Sequence, residues 1–187
     1  MDNATAYQYY KWVVSANNGL PHFQLMELRL FSEAEAGAVE QSVSVDTSTI
    51  AGDAAIEGSQ GLAKMFDGVI DQSKACIVNV TSLWVSVKTN QPAAVNMYKI
   101  GSANDHDPRD PKDWVVYGSN DGENWVELDK RENQDLPDRN TLYTYTFEND
   151  VAYSYYKLAI LSNNGKDAVG LDVVQLSEWQ LFVASEG

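Results

Sequence analysis

Two short stretches hold the side chains best able to do chemistry. Residues 64–73 carry Asp67, Asp71 and Ser73 around Gly68, two carboxylates and a hydroxyl on one turn-forming segment. A calcium ion takes six to eight oxygens from carboxylates, hydroxyls and turn carbonyls, and this segment offers such donors, although it lacks the spacing of an EF-hand loop. The plainer reading is that Asp67 caps a turn. Residues 102–110 carry Asn104, Asp105, His106 and Arg109 beside Pro108. A stretch that polar is not core, and it belongs on the surface at one end of a sheet. Arg109 has a planar fork that can donate two parallel hydrogen bonds, or it can be tied to Asp107 or Asp110 as part of a structural turn.

Catalysis has little to work with. His22 and His106 lie in different loops. The sequence has no Gly-x-Ser-x-Gly, no His-Glu-x-x-His and no Gly-rich phosphate loop. With 27 acidic residues, a glycosidase-type carboxylate pair can be drawn in many ways, none informative. The chain reads as a non-enzyme.

Composition narrows the partners. The net charge is −14 over 187 residues, which repels phosphates, so neither nucleic acid nor insertion into an anionic membrane is expected. No run of eighteen apolar residues is present. The length suits one well-buried core, and residues 1–187 are expected to form a single domain. Residues 1–12 lack a basic segment followed by an apolar one, so no signal peptide is read there, and the domain is expected to be one module cut from a longer secreted protein. Cys76 is alone, so no intrachain disulfide forms, and its apolar neighbours predict a buried small hydrophobe. A disulfide-free extracellular domain points to a bacterial source.

The elements that must position these loops are strands. Trp114, Val116 and Gly118 alternate with Val115 and Tyr117, a period of two. Asp121-Gly122 predicts a two-residue hairpin turn, with Trp125, Val126 and Leu128 on the return strand. Residues 83–87 and 93–100 read as further strands, 42–45 as a short one, and 129–141 as a charged loop. Tyr143, Tyr145 and Phe147 give another strand one aromatic face. Residues 32–41 have some helical propensity without an apolar stripe. Residues 7–31 and 153–182 repeat one unit: Tyr-x-Tyr-Tyr-Lys, an Asn-Asn-Gly turn, then Gln-Leu-x-Glu. Two such units predict equivalent places in a two-sheet sandwich, with the chain ends close together; the alternative is that residues 1–31 are the tail of a preceding copy. Many short strands and no long amphipathic helix predict an all-β sandwich or jelly roll of about eight core strands. Trp84, Trp114, Trp125 and Trp179 are expected in its core.

The stretch from Trp114 through Gly118-Ser119-Asn120-Asp121-Gly122 and Trp125 to Leu128-Asp129 resembles the signature of discoidin-like domains, the coagulation-factor C-terminal type shared with carbohydrate-binding module family 32. Ala63, Phe66-Asp67-Gly68, Asp71 and Ser73-Lys74-Ala75-Cys76 match a second family segment, with Ala75 where an aromatic is usual and Ser73 where Thr is usual. The resemblance spans roughly residues 60–183. It implies a galactose-binding-domain-like β-sandwich and a non-catalytic carbohydrate-binding module. Such a module would attach a larger extracellular or cell-surface protein to glycans, of galactose type or another hexose. It implies one structural calcium held by Asp67, Asp71, Ser73 and Glu178; otherwise Glu178 is a salt-bridge partner. It also implies sugar contacts from Asn104, His106 and Arg109, although Pro108 and the Arg-Asp-Pro run depart from the family pattern. A sugar ring needs an aromatic face as well, and His22 or Phe23 is the candidate. Residues 163–173 or 18–23 are the alternative location. The other function class is an adhesion-type discoidin domain binding a protein partner.

Overall fold

The computed structural model describes residues 11, 13, 39–53, 59–71 and 73–185. The chain divides into two units, Met1–Ala36 and Gly37–Gly187, and the described strands all belong to the second. The expected placement of residues 7–31, and with it the closeness of the chain ends, lies outside the described residues. So do His22 and Phe23.

Among the described residues there are eleven strands: β1 (Val39–Ser42), β2 (Val45–Gly52), β3 (Ala75–Val78), β4 (Leu83–Ala93), β5 (Met97–Gly101), β6 (Pro111–Ser119), β7 (Val126–Arg131), β8 (Leu142–Thr146), β9 (Tyr153–Asn163), β10 (Val173–Leu176) and β11 (Glu178–Ser185). They form a five-stranded sheet in the order β2-β4-β9-β6-β7, a four-stranded sheet β1-β11-β5-β8, and a pair β10-β3. Every pairing is antiparallel. The only helical segments among the described residues are two short 3-10 turns, Leu62–Phe66 and Asp107–Arg109. The expected all-β sandwich is the observed fold.

Alternation along the strands decides what the two large sheets enclose. Trp114 and Val116 of β6, Tyr156 and Leu158 of β9, and Val85 and Val87 of β4 are buried, as are Tyr98 and Ile100 of β5 and Trp179 and Leu181 of β11. The aromatic face of β8 meets this core: Tyr145 stacks on Tyr98 at 5.2 Å and stands edge-on to Trp114 at 5.1 Å. Trp114 Nε1 donates to the Tyr98 hydroxyl at 2.8 Å, which donates to Asp129 Oδ2 at 2.7 Å. Burial of the ring, with Asp129 accepting its proton, pushes the Tyr98 hydroxyl far up. Each buried aromatic removes on the order of 200 Å² from water, about 5 kcal/mol, and the Trp114–Tyr98–Asp129 chain satisfies the polar atoms buried with two of these rings.

The structure departs from the sequence expectations at several places. Trp114 and Trp179 are core, but Trp84 and Trp125 are half-buried. Trp84 takes the outward phase of β4, and Trp125 precedes β7 altogether. The β6–β7 connection is six residues long, 120–125, and only Gly122 in it has positive φ, at 76°. Asp121 sets this longer turn by accepting the Glu123 and Asn124 backbone N–H groups at 2.9 and 2.8 Å. Residues 42–45 span the break between β1 and β2, and Val39–Ser42 pair with β11 as a strand where the end of a helix was expected. The expected strand over 93–100 is divided between the end of β4 and β5, and β7 runs on to Arg131. Cys76 is half-buried, because on β3 it is Ala75 and Ile77 that face inward.

Candidate functional site

The first cluster forms where the Leu62–Phe66 turn meets β11. Gly68 has φ 76°, a left-handed conformation that glycine adopts without strain, and it turns the chain sharply after Asp67. Asp67 Oδ1 accepts the Val69 N–H at 3.0 Å, while Oδ2 accepts the Ser73 hydroxyl and Lys64 Nζ, the latter at 3.1 Å. Glu178 opens β11 and is 2% exposed. Its Oε1 accepts the Gly68 and Val69 N–H groups at 2.6 and 3.2 Å. Among the described residues Glu178 makes no ion pair. Burial pushes its carboxyl up to about 7, and the negative Asp67 adds to the rise, while the Gly68 N–H and Gln180 offset it. Burial also acts against ionised Asp67, but hydrogen bonds from Ser73, Lys64 and Val69 outweigh it and hold that carboxyl low.

Asp67 and Glu178, 111 residues apart in the chain, thus meet with Ser73 at one point. Asp71 enters through its backbone: with its amide nitrogen turned to the loop, Asn140 donates to the Ile70 and Asp71 carbonyls at 3.2 and 2.9 Å. Among the described residues no three acids, histidines or cysteines converge as a ready-made metal centre.

The second cluster is the connection between β5 and β6. Buried Lys74 reaches across and donates to Asn104 Oδ1 at 2.8 Å and to Asp105 Oδ1 at 2.5 Å. His106 is exposed and left-handed, with φ 45°. Its carbonyl accepts the Arg109 N–H and Gln175 Nε2, each at 3.0 Å. The guanidinium of Arg109 is bound neither to Asp107 nor to Asp110: Nη2 donates to Asp167 Oδ2 at 2.8 Å, and the Asp167 side chain is fully buried. Asp167 also accepts the Val169 and Leu171 N–H groups, at 3.0 and 2.9 Å. Those backbone bonds, led by that from Leu171, and Arg109 hold its carboxyl below the usual range. Asp110 takes a different partner, Arg139, in a two-point pair. Burial raises the Asp110 carboxyl to about 6 against the pull of Arg139.

The outcome is a platform at one end of the sandwich. Loops 102–110 and 163–172 are tied together by Arg109–Asp167 and by the Asn164 N–H donating to the Asp110 carbonyl at 3.0 Å. Asn104 and His106 stand exposed on it, and Arg109 sits lower, 17% exposed. Lys74, Arg139, Gln175 and Asp167 are the residues that sequence reasoning missed here. Nothing local marks them: Lys74, Arg139 and Gln175 reach the platform from other strands or loops, and Asp167, on loop 163–172, meets Arg109 only through the fold.

An antiparallel two-sheet sandwich with pinned polar loops at one end is the architecture of the jelly-roll class. Residues 42–172 match the family model of the F5/8 type C domain. The chain belongs to that family. Over 77 residues it is 39% identical to the peptide-N(4)-(N-acetyl-beta-glucosaminyl)asparagine amidase of Arabidopsis thaliana, a match over 40% of this chain and 11% of that enzyme. The chain therefore spans about a tenth of the curated relative it matches. Among solved structures it is similar to the family 32 carbohydrate-binding module of Streptococcus pneumoniae EndoD, at 15% identity and a TM-score of 0.58, covering 75% of this chain and 98% of that one. It is similar also to the family 32 module of C. perfringens NanJ in complex with galactose, at 14% identity and a TM-score of 0.57, covering 78% and 100%.

Proposed function

We propose that this domain is a non-catalytic carbohydrate-binding module that attaches a larger secreted or cell-surface protein to glycans. The observation that carries this reading is the platform itself: Asn104 and His106 exposed on loop 102–110, which buried Lys74 and the Arg109–Asp167 pair tie to its neighbours. Rigid loops cost little ordering on binding, which is what a small, hydroxyl-rich ligand requires. Arg109 supplies its remaining guanidinium donors from below while Asp167 fixes its orientation. The sandwich fold shared with family 32 modules, one of them in complex with galactose, supports a galactose-type or other hexose as ligand. A shallow, exposed site of this kind binds a monosaccharide weakly, with Kd on the order of 0.1–1 mM or about 4–5.5 kcal/mol. Several copies in one protein would raise the avidity.

A structural calcium belongs to this proposal. Asp67, Ser73 and Glu178, with Asp71 and the loop carbonyls, are all oxygen donors of the kind a hard ion takes, and buried Glu178 lacks a cationic partner among the described residues. Bound there, the ion would supply positive charge between two carboxylates and fasten the 64–73 loop to β11.

The test is a glycan array on the purified protein with calcium and with chelator, followed by titration of His106→Ala and Asn104→Ala against the best glycan. Binding that weakens at least tenfold in both variants, with the melting temperature unchanged in His106→Ala, is the expected result. An array without a glycan hit in either condition overturns the reading.

A further inference from the structure

The solvent face of the five-stranded sheet carries a groove that the loop platform does not use. Ser86, Lys157 and Tyr117 form one cross-strand row over β4, β9 and β6, and Trp84, Ala159 and Val115 form the row beside it. These positions are two apart on each strand, so all of them project from the same face. The small Ser86 and Ala159 make a floor, Trp84 one wall, and Tyr117 with Trp125 the other; the open groove has a volume of about 360 Å³. That volume is in the range of small-molecule sites. Along β6, Tyr117 lies six residues from Pro111, roughly 20 Å from the loop platform.

The inter-sheet core does not use these rings, since it is filled by other aromatics on the opposite phase of the same strands. The groove is also built to be stiff. Asp121 accepts the backbone N–H groups of Glu123 and Asn124 and the Asn124 side-chain amide, the last at 2.8 Å, and this fixes the turn that delivers Trp125. Lys157 Nζ lies 4.3 Å from the Trp125 ring centre and 4.7 Å from that of Tyr117. Among the described residues it makes no ion pair; Glu127, on the same row, stands beyond Tyr117. Partial burial lowers the Lys157 ammonium pKa, as it does for a charge short of water.

We propose that this groove is a second ligand site, for a uronate residue of an acidic polysaccharide. A pyranose ring offers an apolar C–H face to Trp84, Tyr117 and Trp125, and its carboxylate is the charge complement of Lys157. A neutral hexose leaves that ammonium unmatched. A nucleic acid presents phosphates too densely for one cation on a surface of net charge −14. One carboxylate per sugar meets that opposition less, because charges beyond about 8 Å are screened at physiological ionic strength. The inference stands on the groove alone and is independent of the loop platform.

The test is calorimetric titration of the purified protein with trigalacturonate and trimannuronate, and with the neutral galactotriose and mannotriose. At least one uronate trimer is expected to bind, with its neutral counterpart at least tenfold weaker. Trp125→Ala and Lys157→Met should each weaken that binding tenfold or more, and Lys157→Arg should retain it. Trp84→Ala, on the opposite wall and away from the turn, is the second aromatic variant should Trp125→Ala not fold. Binding of neither uronate overturns the proposal, as does equal binding of the neutral trimer or insensitivity to these variants. Displacement by excess galactose also overturns it, because it would place the uronate on the loops.

Discussion

Glu178 is a buried carboxyl whose environment opposes its charged form. Its folded value of about 7 lies above its ordinary 4.5, chiefly through burial. The fold therefore favours the protonated carboxyl. That contribution is fully present below about pH 4.5 and is lost as pH rises through about 7, an effect on the order of 3 kcal/mol. Asp110, raised from 3.8 to about 6 by burial, acts in the same direction. The part due to Glu178 is thus the difference between wild type and Glu178→Gln in chelator. Denaturant melts at pH 5 and pH 8 should show the wild type losing more stability than the variant, and equal losses would refute it. Arg109 makes the opposite case, since truncation strands the buried Asp167 carboxylate. Arg109→Ala should lower the melting temperature by several degrees, with Arg109→Lys recovering part of it.

At the level of elements, the β6–β9 pair holds the sandwich and both candidate sites. Gly118 on β6 faces inward, where an added Cβ would lie 2.5 Å from the Tyr153 ring. Tyr153 is itself buried and stands edge-on to Tyr156 at 6.2 Å, so the ring has little room to yield. Gly118→Ala should cost about 1–3 kcal/mol by overpacking, read as a lower denaturation midpoint at unchanged slope. The same strand turns Tyr117 outward, so its two faces serve separate purposes.

For the whole molecule, the proposed calcium links an early loop to the last strand, and its effect is on the folded state. Calcium at 100 times its Kd should add about 2.7 kcal/mol, or roughly 5–10 °C in melting temperature. Glu178→Gln should remove most of that gain. Identical melting in chelator and calcium would exclude the ion. It would leave the fold untouched, because Gly68 and Val69 already hold Glu178 through hydrogen bonds.

The sequence by itself determined the fold class, because strand alternation and turn residues are local signals and this chain carries them nearly throughout. The aromatic face of Tyr143, Tyr145 and Phe147 was legible for that reason, as were the surface loop 102–110 and the chemistry of its side chains. Only the tertiary structure decided which tryptophans are core. Trp114 and Trp84 sit on similar strands, and the phase that faces inward is set by the partner sheet, which no local pattern states. Only the tertiary structure paired Arg109 with Asp167 and Lys74 with Asn104, because residues tens of positions apart meet through sheet topology. The groove of Trp84, Tyr117, Trp125 and Lys157 was hidden for the same physical reason: its parts lie on three strands and a turn, and pairing register alone brings them side by side.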